Sequence, residues 1–373
     1  MDLERFCGED FIDIPHKEWV ELLQEVGEDK DKRLELTTEL ARLAGRYPLP
    51  IPDYTEEEIC KDYQQLEVNN LDTIETEAPL RGGPYKYPFS NETWKWNQLG
   101  TVLADKYMMP VQLQASHRRY RSVASAWQEL SGRRTSFNAL VALKKPCVTK
   151  KMVLMGFKLR LHITGNFRPA VAKEIYNKFG NQGTVLDFSS GYGGRFIGFW
   201  ASNCKHYIGV DPNSLLQEPY RQISEWLIKN HPKDKTFQFI KSPAEDVDYS
   251  CFSPDLIFTS PPYFDIERYS QEDTQSWKKY KEINVWLEKF LFTTLSKTCG
   301  CLKHGGYCLI NICDSPSHEE IKICDAMCEY LEHTLRMKPQ PAIKMLMTNR
   351  PGNKDKVGAS RISEPIWVYQ KII

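Results

Sequence analysis

Asp255-Leu256-Ile257-Phe258-Thr259-Ser260-Pro261-Pro262-Tyr263 joins a short apolar run to a double proline. Leu256, Ile257 and Phe258 have the length and composition of a buried strand. The prolines after Ser260 exclude both helix and ladder pairing, and Pro262 keeps Pro261 extended. The carbonyls of Ser260 and Pro261, with the Ser260 hydroxyl, are therefore left to face a ligand, and Tyr263 sets a flat ring beside them. A planar ring bearing an exocyclic amino group suits such a site. Taken in isolation, Ser-Pro-Pro-Tyr is most often only a turn after a strand, so the surrounding chain has to supply the context.

Working outward from this strand, residues 164–373 alternate strand and helix patterns. Strands are expected at Thr184–Phe188, His206–Asp211, Thr236–Lys241, Leu256–Thr259, Tyr307–Ile312, Ile343–Thr348 and Pro365–Lys371. Helices are expected at Phe167–Phe179, Gly193–Ser202, Leu215–Asn230, Ser276–Thr298 and Glu319–Leu335. This alternation predicts an α/β, doubly wound, Rossmann-like sheet of seven strands, mostly parallel. No helix separates the last two strands, which predicts an antiparallel hairpin at one edge, joined by a mobile loop around Arg350.

The turn after each of the first three strands carries chemistry. Asp187-Phe188-Ser189-Ser190-Gly191-Tyr192-Gly193-Gly194-Arg195 opens straight into a helix, and its glycines let the backbone approach a ligand. Its spacing is neither that of a dinucleotide fingerprint nor that of a phosphate-binding loop with lysine. Asp211, followed by Pro212, ends the second strand where an acid can bind ribose hydroxyls. Glu245 and Asp246 follow the third strand and can offer a carboxylate to an adenine amino group. Arg195 can touch a ligand or phosphate, or tie its helix to Asp187. Glu267-Arg268-Tyr269 can cover a bound base or form a surface salt bridge.

In this order the glycine turn, the acids and Ser260–Tyr263 resemble the S-adenosylmethionine-dependent amino-methyltransferases of DNA, the N4-cytosine and N6-adenine group. The resemblance covers residues 164–373 and implies the seven-stranded methyltransferase sheet, with S-adenosyl-L-methionine as cofactor. It implies that Phe167, in Asn166-Phe167-Arg168-Pro169, lines the donor pocket. It places the methionine part on Asp187, Phe188, Ser189, Gly191 and Gly193, the ribose on Asp211 and Pro212, and the donor adenine on Glu245 or Asp246. Catalysis falls to Ser260, Pro261, Pro262 and Tyr263, with no metal. A serine at the first motif position inclines the target towards cytosine N4 over adenine N6. An RNA base N-methyltransferase, or a non-catalytic nucleic-acid-binding subunit of the same fold, is the alternative.

Ahead of this domain the charge is unevenly spread, although the 373-residue chain is formally neutral. Residues 1–80 hold 22 Asp and Glu against 8 Lys and Arg, and residues 115–168 hold 12 Lys and Arg against Glu129 alone. Residues 1–80 read as an acidic, mainly helical extension, with a capping box from Thr55 to Glu58. Residues 81–163 read as a recognition region for DNA, with RNA as the other candidate. Its expected contacts are Arg118, Arg119, Arg121, Arg133, Arg134, Lys150 and Lys151. The aromatics and cations from Arg81 to Trp96 can stack bases, or simply pack on the next domain. Eleven scattered cysteines without paired zinc spacings predict reduced thiols. With no signal peptide or membrane-length apolar run, the expectation is a cytoplasmic protein, nucleoid-associated or nuclear if DNA is its substrate, with no membrane partner.

Overall fold

The computed structural model describes residues 2–75, 78–95, 97–161, 163–314, 321–347 and 362–372. Trp96, Glu319, Thr348 and the expected loop around Arg350 lie outside these residues.

The chain forms two compact units, and these cut across the consecutive segments 1–80, 81–163 and 164–373. One unit combines Met1–Asp53 with Met109–Gly165, and the other combines Tyr54–Met108 with Asn166–Ile373. The first is helical. His16–Val26 and Lys30–Ala44 bury Trp19, Leu36, Leu40 and Leu43 with Phe137, Leu140, Val153 and Phe157 of Leu130–Ala142 and Lys150–Arg160. The acidic helices and the basic stretch thus share one core, because each turns a leucine-rich face inward and its charges outward.

In the second unit the strands are β1 (Thr73–Glu75), β2 (Phe89–Trp94), β3 (Thr184–Asp187), β4 (His206–Val210), β5 (Thr236–Ile240), β6 (Leu256–Thr259), β7 (Tyr307–Asn311), β8 (Lys338–Leu346) and β9 (Ser363–Gln370). They form one sheet in the order β1-β2-β8-β9-β7-β6-β3-β4-β5. From β7 to β5 every neighbouring pair is parallel, and β9 runs antiparallel to β7. This is the expected Rossmann-like sheet, with nine strands among the described residues where seven were expected. The two extra strands come from residues 73–75 and 89–94, and β2 pairs parallel with β8. The β8–β9 hairpin is antiparallel as expected, but β2 moves it away from the edge. β8 also starts earlier than Ile343, since Pro339 and Pro341 are accommodated around a register shift between Gln340 and Ile343.

Helices flank the sheet. Pro169–Phe179 begins with its proline in the first turn. Gly194–Ala201 and Gln217–Asn230 follow β3 and β4. The stretch expected as one helix over Ser276–Thr298 is broken into Ser276–Lys279, Ile283–Trp286, a π-helical segment Leu287–Phe292 and Thr293–Cys301. The capping box is present: the Thr55 amide donates to the Glu58 carboxylate at 2.9 Å, and the Glu58 amide to Thr55 Oγ1 at 3.1 Å. No helix among the described residues is long and apolar enough to cross a membrane.

Candidate active site

The carboxyl ends of β3, β4 and β6 meet around Asp187. This side chain is fully buried, and its two oxygens take four donors. Arg195 Nε at 2.6 Å and the Tyr207 hydroxyl at 2.7 Å donate to Oδ2. The Thr259 hydroxyl at 2.9 Å and the Ser189 amide at 3.3 Å donate to Oδ1. Asp187 was expected to face the methyl donor, and it is instead a hub inside the protein. It ties the glycine turn to the residue just before Ser260. Arg195 follows the tie-to-Asp187 alternative; it also donates to the Ser189 carbonyl and lies 5.6 Å over the Phe167 ring. Phe167 in turn meets Phe258 of β6 edge-on at 5.2 Å.

The glycines of the turn have separate tasks. Gly191 has φ +60°, and a Cβ built there would meet nothing nearer than the Ser189 carbonyl at 3.7 Å. Its amide donates to Asp211 Oδ2 at 3.0 Å, and its carbonyl accepts from the Tyr220 hydroxyl. Gly193, at φ +76°, caps the helix that follows, and Gly194 packs so tightly that a Cβ would sit 2.0 Å from the Phe167 carbonyl. Asn166 pins this contact, accepting from the Gly194 amide at 3.2 Å and donating to the Tyr192 carbonyl at 2.9 Å. Phe188, expected at the donor, has its side chain fully buried in the core, because it continues the inward face of β3.

Among the described residues Asp211 accepts from two backbone amides, those of Gly191 and Asn213, both at 3.0 Å. Burial pushes its carboxyl up to about 6 against the pull of those two amides. A recessed carboxylate beside an open glycine turn suits two vicinal hydroxyls. That is a fit for the ribose of S-adenosylmethionine, with Pro212 half-buried next to it. Glu245 and Asp246 fit less simply. Glu245 Oε1 accepts from Lys279 Nζ at 2.6 Å and from the Tyr280 hydroxyl at 3.0 Å, and Lys279 also reaches Asp246 at 2.9 Å. Residues from the broken helical region therefore sit on the acids expected to hold the adenine.

At the end of β6, Ser260 Oγ donates to the Asn311 carbonyl at 3.0 Å, at the tip of neighbouring β7. Asn311 is held by its own amide, which donates to the Pro365 carbonyl at 3.0 Å. With its proton directed there, the Ser260 oxygen keeps lone pairs for a donor. The Pro261 carbonyl accepts no hydrogen bond among the described residues. Phe264, directly after Tyr263, has φ +56°, a left-handed conformation rare for an aromatic residue. It sends the Phe264 ring into the core against Trp286, 5.9 Å away, while Tyr263 stays half-buried. Burial drives the Tyr263 phenol far above its ordinary range. Further on, the Tyr269 hydroxyl donates to Glu267 and its ring meets Tyr192 of the glycine turn at 6.0 Å. Arg268 lies 4.8 Å over the Trp277 ring.

Residues 254–372 match the family of N6/N4 methyltransferases described as DNA methylase. That segment is similar to the N6/N4 DNA methylases. The match supports an S-adenosylmethionine-dependent methyltransferase, and the Pro-Pro-Tyr loop lies inside the matched residues. No curated protein matches the chain. Among solved structures it is similar to TrmN from Thermus thermophilus, at 12% identity and a TM-score of 0.35, covering 55% of this chain and 49% of that one. It spans about half the length of that protein. It is also similar to an rRNA methylase from Streptococcus thermophilus at 12% identity and TM-score 0.35, covering 56% and 100%. A methyltransferase from Pyrococcus furiosus follows at 17% identity and TM-score 0.34, covering 55% and 83%.

The seven basic residues expected on nucleic acid all belong to the helical unit, but they divide. Arg133 donates to the carbonyls of Ala41 at 2.8 Å and Trp127 at 2.6 Å, so it holds helices together and is withdrawn from the phosphate contacts. Arg121 pairs with Glu129 at 2.5 Å and Lys150 with Asp53 at 2.8 Å. Arg118, Arg119 and Lys151 are exposed, and Arg134 is half-exposed. Asn311, Tyr207 and Tyr220 were missed. Of these Asn311 alone carried a signal, as a polar residue closing the strand next to β6.

Proposed function

We propose that the protein transfers the methyl group of S-adenosylmethionine to the exocyclic amino group of a base in DNA, with cytosine N4 preferred to adenine N6. The observation that carries this reading is the chain of hydrogen bonds Arg195–Asp187–Thr259, which fixes Ser260 beside the glycine turn. Gly191 and Asp211 would hold the donor's methionine and ribose parts, and when bound the donor supplies an electrophilic sulfonium methyl.

An exocyclic amine is a weak nucleophile because its lone pair is delocalised into the ring. Ser260 Oγ and the Pro261 carbonyl, both acceptors, hold the two N–H bonds and draw the nitrogen out of the ring plane. This localises the pair towards the methyl donor, and alignment then supplies much of the acceleration. Tyr263 presents its face to the base. A base in duplex DNA reaches the loop only after leaving the stack, at about a few kcal/mol. Arg119, Arg134 and Lys151 are proposed to contribute phosphate contacts.

The test is product analysis. The protein is incubated with methyl-labelled donor and DNA, RNA or no polymer, and the polymer is digested to nucleosides. Label in N4-methylcytosine from DNA is the expected result. Label only in RNA nucleosides, or in no nucleoside, would overturn the reading.

A further inference from the structure

Arg81 opens the aromatic and basic stretch before β2, and the structure fastens it to the catalytic loop's side of the sheet. The Arg81 amide donates to the Ser363 carbonyl at 2.8 Å, and the Ser363 amide to the Pro79 carbonyl at 2.9 Å, so the segment runs along the start of β9. Its carbonyl accepts from the Tyr85 hydroxyl at 2.7 Å, and that hydroxyl also accepts from the Asp314 amide at 3.1 Å. Gly82 completes the wedge: at φ +76°, a Cβ on it would stand 2.5 Å from the Asp314 carbonyl. Only glycine fits this turn.

The side chain of Arg81 is held as firmly as its backbone. Nη1 lies 2.5 Å from Glu364 Oε1, with the Glu364 side chain 7% exposed and that of Arg81 41% exposed. Glu364 precedes Pro365, whose carbonyl holds Asn311, which in turn accepts the Ser260 hydroxyl. Glu364, the Cys313 thiol, Arg81 and Glu267 all lie near enough to the Tyr263 phenol to act on it electrostatically. The ion pair thus stands at the same strand ends as Ser260 and beside Tyr263.

We propose that Arg81, clamped by Glu364, reads the ring edge of the target base by donating to the N3 and O2 acceptors of a cytosine. The proposal rests on the amino-methyltransferase reading above and names its base. A guanidinium carries five N–H donors in a planar fork, and Glu364 fixes the fork while leaving donors on the exposed side. Beyond its amino group, cytosine presents two acceptors in a row, N3 and O2. Adenine presents N1 and then a C–H, which a paired donor cannot use. A phosphate is the weaker match. Glu364 cancels most of the long-range attraction of Arg81 and repels an anion, but it leaves directional donors intact for a neutral base.

The test compares wild type, Arg81→Met, Arg81→Lys and Glu364→Gln on DNA whose single target is cytosine, adenine or 3-deazacytosine, which lacks the N3 acceptor but keeps O2. Binding of S-adenosylhomocysteine and the salt dependence of DNA binding are measured alongside. Arg81→Met is expected to lower kcat/KM on cytosine about ten- to hundredfold, the scale of one lost bidentate base contact. Homocysteine-product binding and the salt slope should stay at wild-type values. On 3-deazacytosine the same substitution should cost clearly less, since the N3 contact is already gone. Arg81→Lys should recover only part of the loss, and Glu364→Gln should weaken discrimination between cytosine and adenine.

An active wild type with Arg81→Met unchanged would overturn the role of Arg81 and leave the methyltransferase reading in place. Equal losses on cytosine and 3-deazacytosine with a reduced salt slope would assign Arg81 to a phosphate and also overturn it. A wild type that methylates adenine in preference to cytosine contradicts this inference and the cytosine preference proposed above, and leaves amino-methyl transfer to DNA in place. One that methylates no nucleic acid removes the functional reading and this inference with it.

Discussion

Asp211 is the residue whose chemistry is most exposed to pH. Its carboxyl is pushed up to about 6 by burial, against a model-peptide value of roughly 3.9. Between those values the ligand-free fold holds the proton more tightly than the unfolded chain, so this group's contribution to stability falls as pH rises through the window. Donor binding has the opposite sign, because ribose hydroxyls donate to the ionised form. Affinity for S-adenosylhomocysteine should fall as pH drops below 6, approaching about tenfold per unit. Calorimetric titration from pH 5 to 8 checks this: Asp211→Asn should bind more weakly at pH 8 and show a flat profile. A wild-type affinity constant across that range would refute the role. Asp211, Ser260 and Tyr263 were legible in the sequence because each follows a strand pattern directly. The commitment of Asp187 was not, since its partners Tyr207, Arg195 and Thr259 come from three different elements.

At the scale of elements, the glycine turn and β6 are held in register by one buried ion pair. Arg195 and Asp187 have side chains 5% and 0% exposed. Asp187→Ala would leave a guanidinium buried and unpaired, costing about 3–5 kcal/mol. Urea unfolding should show that loss as a lower midpoint, and an unchanged midpoint would contradict the hub. The two neighbouring glycines make a sharper comparison. Gly194→Ala drives a Cβ to 2.0 Å from the Phe167 carbonyl and should damage the fold itself. Gly191→Ala faces open space and suffers only its left-handed φ, a cost of about 1–3 kcal/mol. It should weaken donor binding more than stability. Paired unfolding and binding measurements separate the two, and equal effects on both would remove the distinction. The alternation of strands and helices made the parallel core readable in advance. The strands at 73–75 and 89–94 were hidden because they are held by pairing, the first on the second and the second on β8, which no local pattern records.

For the whole molecule, a neutral chain conceals an acidic and a basic stretch, and residues 1–53 of the first share a helical unit with nearly all of the second. Counting charges identified the basic stretch but could not tell exposed cations from structural ones. Arg133 looks like Arg134 in sequence, yet it bridges two helices through the Ala41 and Trp127 carbonyls. The double substitution of Arg119 and Lys151 by Gln should weaken DNA binding and lower the salt slope by about 2, at roughly 0.9 per phosphate contact. Arg133→Gln should instead lower the unfolding midpoint. An unchanged salt slope in the double variant would exclude these cations from the phosphate contacts.

The central claim is that the elbow Ser260–Tyr263 and the glycine turn form one methyl-transfer site. The most direct measurement is methyl transfer by Ser260→Ala combined with Tyr263→Ala, with S-adenosylhomocysteine affinity measured on the same preparation. Transfer should fall by about 10²-fold or more, the scale of losing one preorganised hydrogen bond at a reacting centre, while affinity stays at the wild-type value. Wild-type transfer rates in that variant would contradict the account.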